Sequence, residues 1–372
     1  MKVVIAAGGT GGHINPAIAI GNCLKKNEPG WEILFIGSKG SLEQNLYSNT
    51  KMPYRLYESK GLSRKKIFKN VKILLLDCKA YMDIDKFISE YKPDIGVSCG
   101  GYISALAMFS LKKHKIPFIL HEQNAYPGLT TRILSKYAKK YALAFMKAGD
   151  YLKYKNLSVL TGNPIRKDFF QTTKKQAREQ LGYSDDEKVV LCFGGSLGAE
   201  KLNTVFVDII EKTAAEHKFR LIIGTGEIYY EDVLTELKER GISIIGKRIS
   251  IYKYISNMTQ MLHACDLAIT RSGAMTLSEL AVLGKPSVLI PSPNVTKDHQ
   301  TKNAVELEKL GGAVLIAEQD LTSDLLYNTI CSITGDNKKL DRMSKSLQKI
   351  AVGDADERIY KIVKEVVTAN AN

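Results

Sequence analysis

Two segments of this 372-residue chain share one pattern. An apolar run leads into a cluster of glycines and then into a helical pattern. Val3 to Ala7 is followed by Gly8-Gly-Thr-Gly-Gly-His13, with a helix expected from about Pro16, a favoured first-turn residue. Lys188-Val-Val-Leu-Cys-Phe193 is followed by Gly194-Gly-Ser-Leu-Gly-Ala199 and a second helical stretch. A buried strand that ends in such a turn opens a doubly wound α/β domain, whose ligands lie at the carboxyl ends of the strands. Two openings roughly 185 residues apart predict two such domains facing one cleft. The length suits two cores better than one. Thr161-Gly-Asn-Pro-Ile-Arg166, followed by the charge-rich Lys167 to Glu187, marks the boundary. The domains are expected over 1–163 and 164–353. The last helix, about 354–372, either completes the second domain or crosses back onto the first.

Further strands are expected at Trp31 to Ile36, Asp94 to Ser98, Pro117 to His121, Phe219 to Ile223, Ile242 to Ile245, Leu267 to Thr270 and Pro286 to Ile290. Polar and glycine-rich residues recur where these strands end, in Ser98-Cys-Gly-Gly-Tyr102 and His121-Glu-Gln-Asn124. Parallel strands would bring those ends to one edge. Neither opening turn is a dinucleotide fingerprint: Gly9 to Ile14 lacks the third glycine, and no phosphate loop ending in Gly-Lys-Ser/Thr occurs. The glycines instead let a bulky ligand approach the backbone, or simply make a tight turn.

The most informative stretch is Asp266 to Leu280. Its short strand runs through the Ser272-Gly273 turn into a helix, so free amides and the helix dipole would face the strand end and favour a diphosphate. Glu279 is ill suited to phosphate but well suited to the two hydroxyls of a ribose, which together point to a sugar nucleotide. The alternative is a glutamate that merely stabilises its own helix. Arg166, at the boundary, could meet a phosphate bidentately or lie in solvent. After the strand at Pro286 to Ile290 a polar loop leads to a helix expected near Thr301, where His299, Gln300 and Asn303 could read hydroxyls.

A formal net charge of +14 calls for an anionic partner: nucleic acid, an anionic lipid surface or a phosphorylated substrate. Basic runs without interleaved aromatics disfavour nucleic acid. Six scattered cysteines without a C-x-x-C pair are expected to be reduced, in a cytoplasmic protein without a secretion signal or membrane span. Arg64 to Leu76 places Ile67, Phe68, Val71, Leu74 and Leu75 on one helical face with lysines opposite. That suits a helix lying on an anionic membrane, and equally a surface helix with its apolar side in the core. Asp83-Ile-Asp85 resembles a metal-holding D-x-D, but helix capping is the expected role.

Taken together, Gly8 to His13, Gly100-Gly-Tyr102, His121-Glu-Gln-Asn124 with Gly128-Leu-Thr, Gly162-Asn-Pro164 with Arg166, Gly194-Gly-Ser196, Arg271-Ser-Gly-Ala274 through Ser278-Glu279, and His299-Gln300 with Asn303-Ala304 resemble the MurG family. These are UDP-N-acetylglucosamine transferases of peptidoglycan synthesis, and the motifs run in the family's order along nearly the whole chain. The resemblance implies a GT-B-type pair of Rossmann-like domains. It also implies inverting transfer of N-acetylglucosamine to the 4-hydroxyl of the N-acetylmuramoyl unit of lipid I, giving lipid II and UDP on the inner face of the cell membrane. By resemblance, Ser196 and Arg166 contact phosphate, and Ile255 offers its backbone to uracil. Ala274, Met275, Thr276, Leu277 and Ser278 form the helix-terminus site, and Glu279 clamps the ribose. His299, Gln300 and Asn303 are implied donor contacts, with Gln300 facing the sugar, while Thr10, Gly11, Gly12 and Asn124 reach donor or acceptor from the first domain. Two departures stand out: Leu197 where the family has glutamine, and Ser98 where it has glycine. Leu197 removes one polar contact near the donor.

Inversion needs a base to take the acceptor proton; His13 is the leading candidate and Glu122 its rival. A helix terminus and an arginine can stabilise the departing diphosphate, so neither a metal nor a cofactor is required. The alternatives are a UDP-N-acetylglucosamine 2-epimerase, another lipid-directed GT-B transferase, or a basic RNA-binding module.

Overall fold

A computed structural model describes residues 1–61, 67–195 and 198–371, and the side chains of these residues except 67–72, 296 and 371. The chain forms two compact units, one of Met1–Ile165 with Val352–Asn372 and one of Arg166–Ala351.

In the first unit seven strands form one parallel sheet: β1 (Lys2–Ala6), β2 (Glu32–Ser38), β3 (Tyr54–Tyr57), β4 (Ile95–Ser98), β5 (Phe118–Glu122), β6 (Lys140–Leu143) and β7 (Ser158–Leu160). Their order is β3-β2-β1-β4-β5-β6-β7. The second unit has six: β8 (Val189–Phe193), β9 (Arg220–Gly224), β10 (Ile249–Tyr252), β11 (Leu267–Thr270), β12 (Ser287–Leu289) and β13 (Ala313–Leu315), in the order β10-β9-β8-β11-β12-β13. Every pairing is parallel, as the Val3↔Ile33 and Ile5↔Val97 partners of β1 illustrate. In both units the chain reverses direction across the sheet beside the first strand, between β1 and β4 and between β8 and β11. A crevice opens at such a switch point because the two flanking loops leave on opposite faces.

The unbroken apolar runs follow from this topology. Val3 and Ile5 enter one core with helices Gly11–Asn27 and Ala355–Ala371, whereas Val4 and Ala6 enter another with helices Ile67–Tyr91 and Tyr102–Lys113. Alternate residues face opposite sides of a strand, so a sheet covered on both faces needs every position apolar. Ile359, Ile362, Val363 and Val366 of the last helix are buried with Ile14, Ile20 and Leu24. Each such side chain contributes about 1.5–3 kcal/mol.

Several expected elements move. The first helix starts at Gly11, with Thr10 before it in extended backbone, and Pro16 lies inside it; the only local price is one missing amide bond. Ile242 to Ile245 is not a strand. Gly241, at φ +67°, ends the preceding helix, Ile242 and Ile244 pack on the core as a loop, and Ile249–Tyr252 pairs with β9 instead. Asp83 and Asp85 do not cap a helix but lie within the 25-residue helix Ile67–Tyr91. Asp85 accepts from Ser110 Oγ at 3.0 Å, Lys113 Nζ at 2.5 Å and His114 Nε2 at 3.1 Å, which pins this helix to its neighbour. The helix after β12 begins at His299, two residues before the expected start. Among the described residues, no helix is long and apolar enough to cross a membrane.

Candidate active site

In the first unit the switch point is framed by the loop after β1 and the loop after β4. Gly8 N donates to Gly100 O at 3.1 Å, and Ser104 Oγ donates to the same carbonyl at 2.7 Å. His13 is the third residue of its helix. Its Nδ1 lies 2.9 Å from the carbonyl oxygen of Gly8, with Thr10 Oγ1 further off at 3.5 Å. A carbonyl can only accept, so this contact assigns a proton to Nδ1 and, in the neutral ring, leaves the lone pair on Nε2. The ring packs closely against Gly100: a Cβ there would come within 2.9 Å of Cδ2 and 3.0 Å of Nε2, and its φ of +97° also favours glycine.

Glu122, the rival base, is buried at the end of β5 with its carboxylate already occupied. Oε1 accepts from Asn124 N and Asn124 Nδ2, both at 3.1 Å, and Oε2 accepts from Gly128 N at 3.0 Å. It shapes the 124–128 loop that carries Asn124. His121 and Gln123 are buried too. His121 Nδ1 accepts from Gln123 Nε2 at 2.9 Å, His121 Nε2 faces Gly162 O at 3.4 Å, and Asn163 Nδ2 donates to Gln123 O at 3.2 Å. Burial pushes the His121 imidazole down to about 4, with the Gly162 carbonyl opposing and His13 adding to the shift, so it stays neutral. Two motifs distant in sequence thus brace each other. Thr10 and Gly12 are exposed beside them, and Gly11 is half-buried.

In the second unit a cavity of about 580 Å³ occupies the switch point, within the range of small-ligand pockets. Gly194, Gly195, Tyr229, Arg271, Thr276 and Gln300 are among its walls. Helix Ala274–Val282 begins at its edge, and Leu277 N donates to Gly273 O at 3.0 Å. The first turn of an α-helix makes no i→i−4 bonds from its amides, so a terminus of this kind can receive an anion. Gly273 does not need a glycine conformation, since its φ is −65°. What it provides is space, because a Cβ there would meet nothing nearer than Thr276 Oγ1 at 4.0 Å. Leu277 is fully buried, with its amide bonded to Gly273 O, and Met275 is half-buried; Ser278 Oγ donates to Ala274 O at 3.1 Å.

Glu279 lies one turn along the helix, outside the cavity wall and half-buried. Burial raises its carboxyl to about 7, with Arg166 lowering it and Asp168 raising it. Arg166 is exposed and held by Thr259 Oγ1 at 2.9 Å and Asp168 Oδ2 at 3.5 Å, so it shares the surroundings of Glu279. Gln300 lines the cavity; its Oε1 accepts from Ser292 N at 2.8 Å, which leaves its NH2 as the end for a ligand. Before it, Lys297 and Asp298 both have φ near +55° without being glycine, a strained approach of the kind found at functional loops. His299 opens the helix and is half-buried. Asn303 is fully buried and donates to Ser272 O at 3.3 Å, so it ties helix His299–Lys309 to the turn after β11. Ile255 is buried against Gly224.

Arg271 is tied down rather than offered to a ligand. It donates to Ile290 O and Pro291 O, both at 3.1 Å, and pairs with Glu318. Ser196 and Leu197 lie outside the described residues, as do the side chains of Ile67, Phe68 and Val71. Leu74 and Leu75 are 53% and 68% exposed on helix Ile67–Tyr91. Sequence reasoning missed Thr259 and Asp168, which hold Arg166, and Tyr229 in the cavity wall; single polar or aromatic residues far from any glycine turn carry no signal. It also missed Glu43, fully buried beneath the first glycine turn.

Residues 3–143 match the glycosyltransferase family 28 N-terminal domain and residues 189–359 its C-terminal domain. A protein of Acetivibrio thermocellus called UDP-N-acetylglucosamine--N-acetylmuramyl-(pentapeptide) pyrophosphoryl-undecaprenol N-acetylglucosamine transferase is 39% identical, over 100% of each chain. One of the same name from Bacillus pumilus is 36% identical over 99% of this chain and 100% of that protein. Among solved structures, MurG of Acinetobacter baumannii superposes with a TM-score of 0.78 at 23% identity, covering 98% of this chain and 99% of that one. A putative UDP-N-acetylglucosamine 2-epimerase from Listeria monocytogenes superposes with 0.72 at 17%, covering 99% and 97%; these likenesses concern the fold. Kinship along the full length at well over 30% identity is what separates a relative from a chain that only shares the architecture. On that ground the chain belongs to glycosyltransferase family 28 and, within it, to the MurG family.

Proposed function

We propose that this chain transfers N-acetylglucosamine from UDP-N-acetylglucosamine to the 4-hydroxyl of the N-acetylmuramoyl unit of an undecaprenyl diphosphate-linked acceptor, with inversion. The substrates are those in the names of the full-length relatives. The observation that carries the mechanism is the His13 imidazole, whose Nδ1 is committed to Gly8 O and whose Nε2 is thereby a base. Nε2 takes the proton as the acceptor oxygen bonds to the anomeric carbon. The bond from that carbon to the diphosphate breaks on the opposite face, and UDP leaves with the electron pair. The N-terminal turn and dipole of helix Ala274–Val282 stabilise the growing charge, Arg166 adds a cation, and Glu279 holds the ribose diol. Glu122 organises Asn124 and the 124–128 loop rather than moving the proton.

The acceptor is a lipid, and helix Ile67–Tyr91 with its exposed Leu74 and Leu75 is the membrane face, drawn to anionic headgroups by the +14 charge. Near an anionic surface each cation adds ~1 kcal/mol. The test is transfer of radiolabelled sugar from UDP-N-acetylglucosamine to a lipid I analogue, with and without chelator. Labelled lipid and released UDP in equal amounts support the assignment. Conversion of the donor without acceptor would mean an epimerase. Replacing Leu74 and Leu75 by serine should weaken binding to anionic vesicles without altering transfer to a water-soluble acceptor.

A further inference from the structure

Glu43 belongs to none of the motifs, yet its side chain is fully buried directly beneath the glycine turn that carries His13. It comes from the short helix Leu42–Ser48 that follows β2. Gly9 N donates to Glu43 Oε1 at 2.9 Å, and Oε2 has no hydrogen-bond partner among the described residues. The chain makes room for it: a Cβ on Gly8 would fall 2.7 Å from Oε1, and one on Gly37 would fall 3.0 Å from Glu43 Cβ. Tyr47, one turn further, stacks on Phe35 with ring centroids 4.8 Å apart and donates to Ala7 O at 3.3 Å. A buried carboxyl with one oxygen unsatisfied is destabilising, and an apolar side chain of similar size would fill the space more favourably. Its presence therefore calls for a role that an apolar residue could not fill.

The geometry supplies one. The amide that Glu43 holds and the carbonyl that His13 Nδ1 holds, Gly9 N–H and Gly8 C=O, are the two ends of a single peptide group. An acceptor on the amide end polarises the carbonyl end and strengthens the bond from Nδ1, as linked hydrogen bonds reinforce one another. We propose that Glu43 is a positioning residue that acts on His13 through the Gly8–Gly9 peptide, fixing the imidazole's orientation and tautomer and raising the basicity of Nε2. This is the role a carboxylate plays when it orients a histidine directly, here relayed through backbone. The proposal rests on His13 being the base. The neighbouring His121 of β5 is kept neutral by burial, and Tyr47, which faces Glu43, is held uncharged by burial.

The test uses the full chain with saturating lipid I analogue and reads kcat against pH, with UDP affinity by calorimetry as a control on the second unit. Glu43→Gln keeps an acceptor oxygen but not the charge. It is expected to lower kcat several-fold, leave UDP affinity unchanged and move the acid limb of the kcat profile to lower pH. Glu43→Asp, withdrawn from Gly9 by one methylene, is the second variant and should lower kcat about 10- to 100-fold, the usual effect of losing an orienting partner. A Glu43→Gln profile that superimposes on the wild type, or a Glu43→Asp rate equal to it, overturns the relay. If His13→Ala keeps its rate, the base assignment itself fails. If His13→Ala is inactive while the Glu43→Gln profile is unshifted, only the relay fails.

Discussion

The two switch points are built on the same strand order and are furnished in opposite ways. Beside β1 the loops are drawn together, with Gly8 bonded to Gly100 and an imidazole packed closely on the glycine backbone. Beside β8 the equivalent space is an open cavity with a helix N-terminus at its edge, and its arginine, Arg271, is paired with Glu318 and hydrogen-bonded to two carbonyls. A tight site can orient one proton acceptor; a roomy site edged by amides can hold a bulky anion. The topology supplies only the location, and the residues after each strand decide whether it does chemistry or binding.

This division makes sharp demands on mutants. His13→Ala should reduce turnover about 10²- to 10⁴-fold, the worth of a general base, while UDP affinity measured by calorimetry stays within about twofold. Glu279→Ala should do the reverse, weakening UDP binding by about 10- to 100-fold through lost hydrogen bonds to a charged acceptor. Because burial places the Glu279 carboxyl near 7, UDP binding should strengthen by up to about tenfold between pH 6 and 8 in the wild type. That pH dependence should vanish in Glu279→Ala. Gly100→Ala forces an alanine to φ +97° and pushes the His13 ring, so kcat should fall on the order of tenfold with UDP affinity intact. Equal losses in both quantities would erase the distinction between the two sites. The effect furthest from turnover is on stability. His121, lowered to about 4 in the folded state, binds fewer protons there than in the unfolded chain. Stability is therefore lost as pH falls from about 6.5 toward 4, by up to about 3 kcal/mol. Thermal melts of His121→Gln should show a shallower acid slope.

Much of this was legible in the sequence for a physical reason. Central strands such as β1, β8 and β11 are covered on both faces and so read as unbroken apolar runs, and the turns after them need glycine. Edge and outer strands lack that signature: β3 is Tyr-Arg-Leu-Tyr with its first residues exposed, and β7 and β13 have three residues each. Ile242 to Ile245 misled because an isoleucine-rich loop packing on a core has the composition of a strand. Within the site, Glu279 and His13 stood out because they follow glycine turns. The roles of Asn303 and Arg271 did not, since a polar side chain that braces a loop has the same sequence appearance as one that meets a ligand. Glu43 was invisible because its partner, a backbone amide, leaves no trace in the sequence.

The helix Ala355–Ala371 packs on Gly11–Asn27, so the first unit is stitched from two separated segments, while the second is continuous. Ile14, Ile20 and Leu24, near the start of the chain, are therefore covered by its last helix. The first unit closes its core only after the last segment of the chain has been made, and a product truncated near residue 351 would lack that cover while keeping every residue of the second unit.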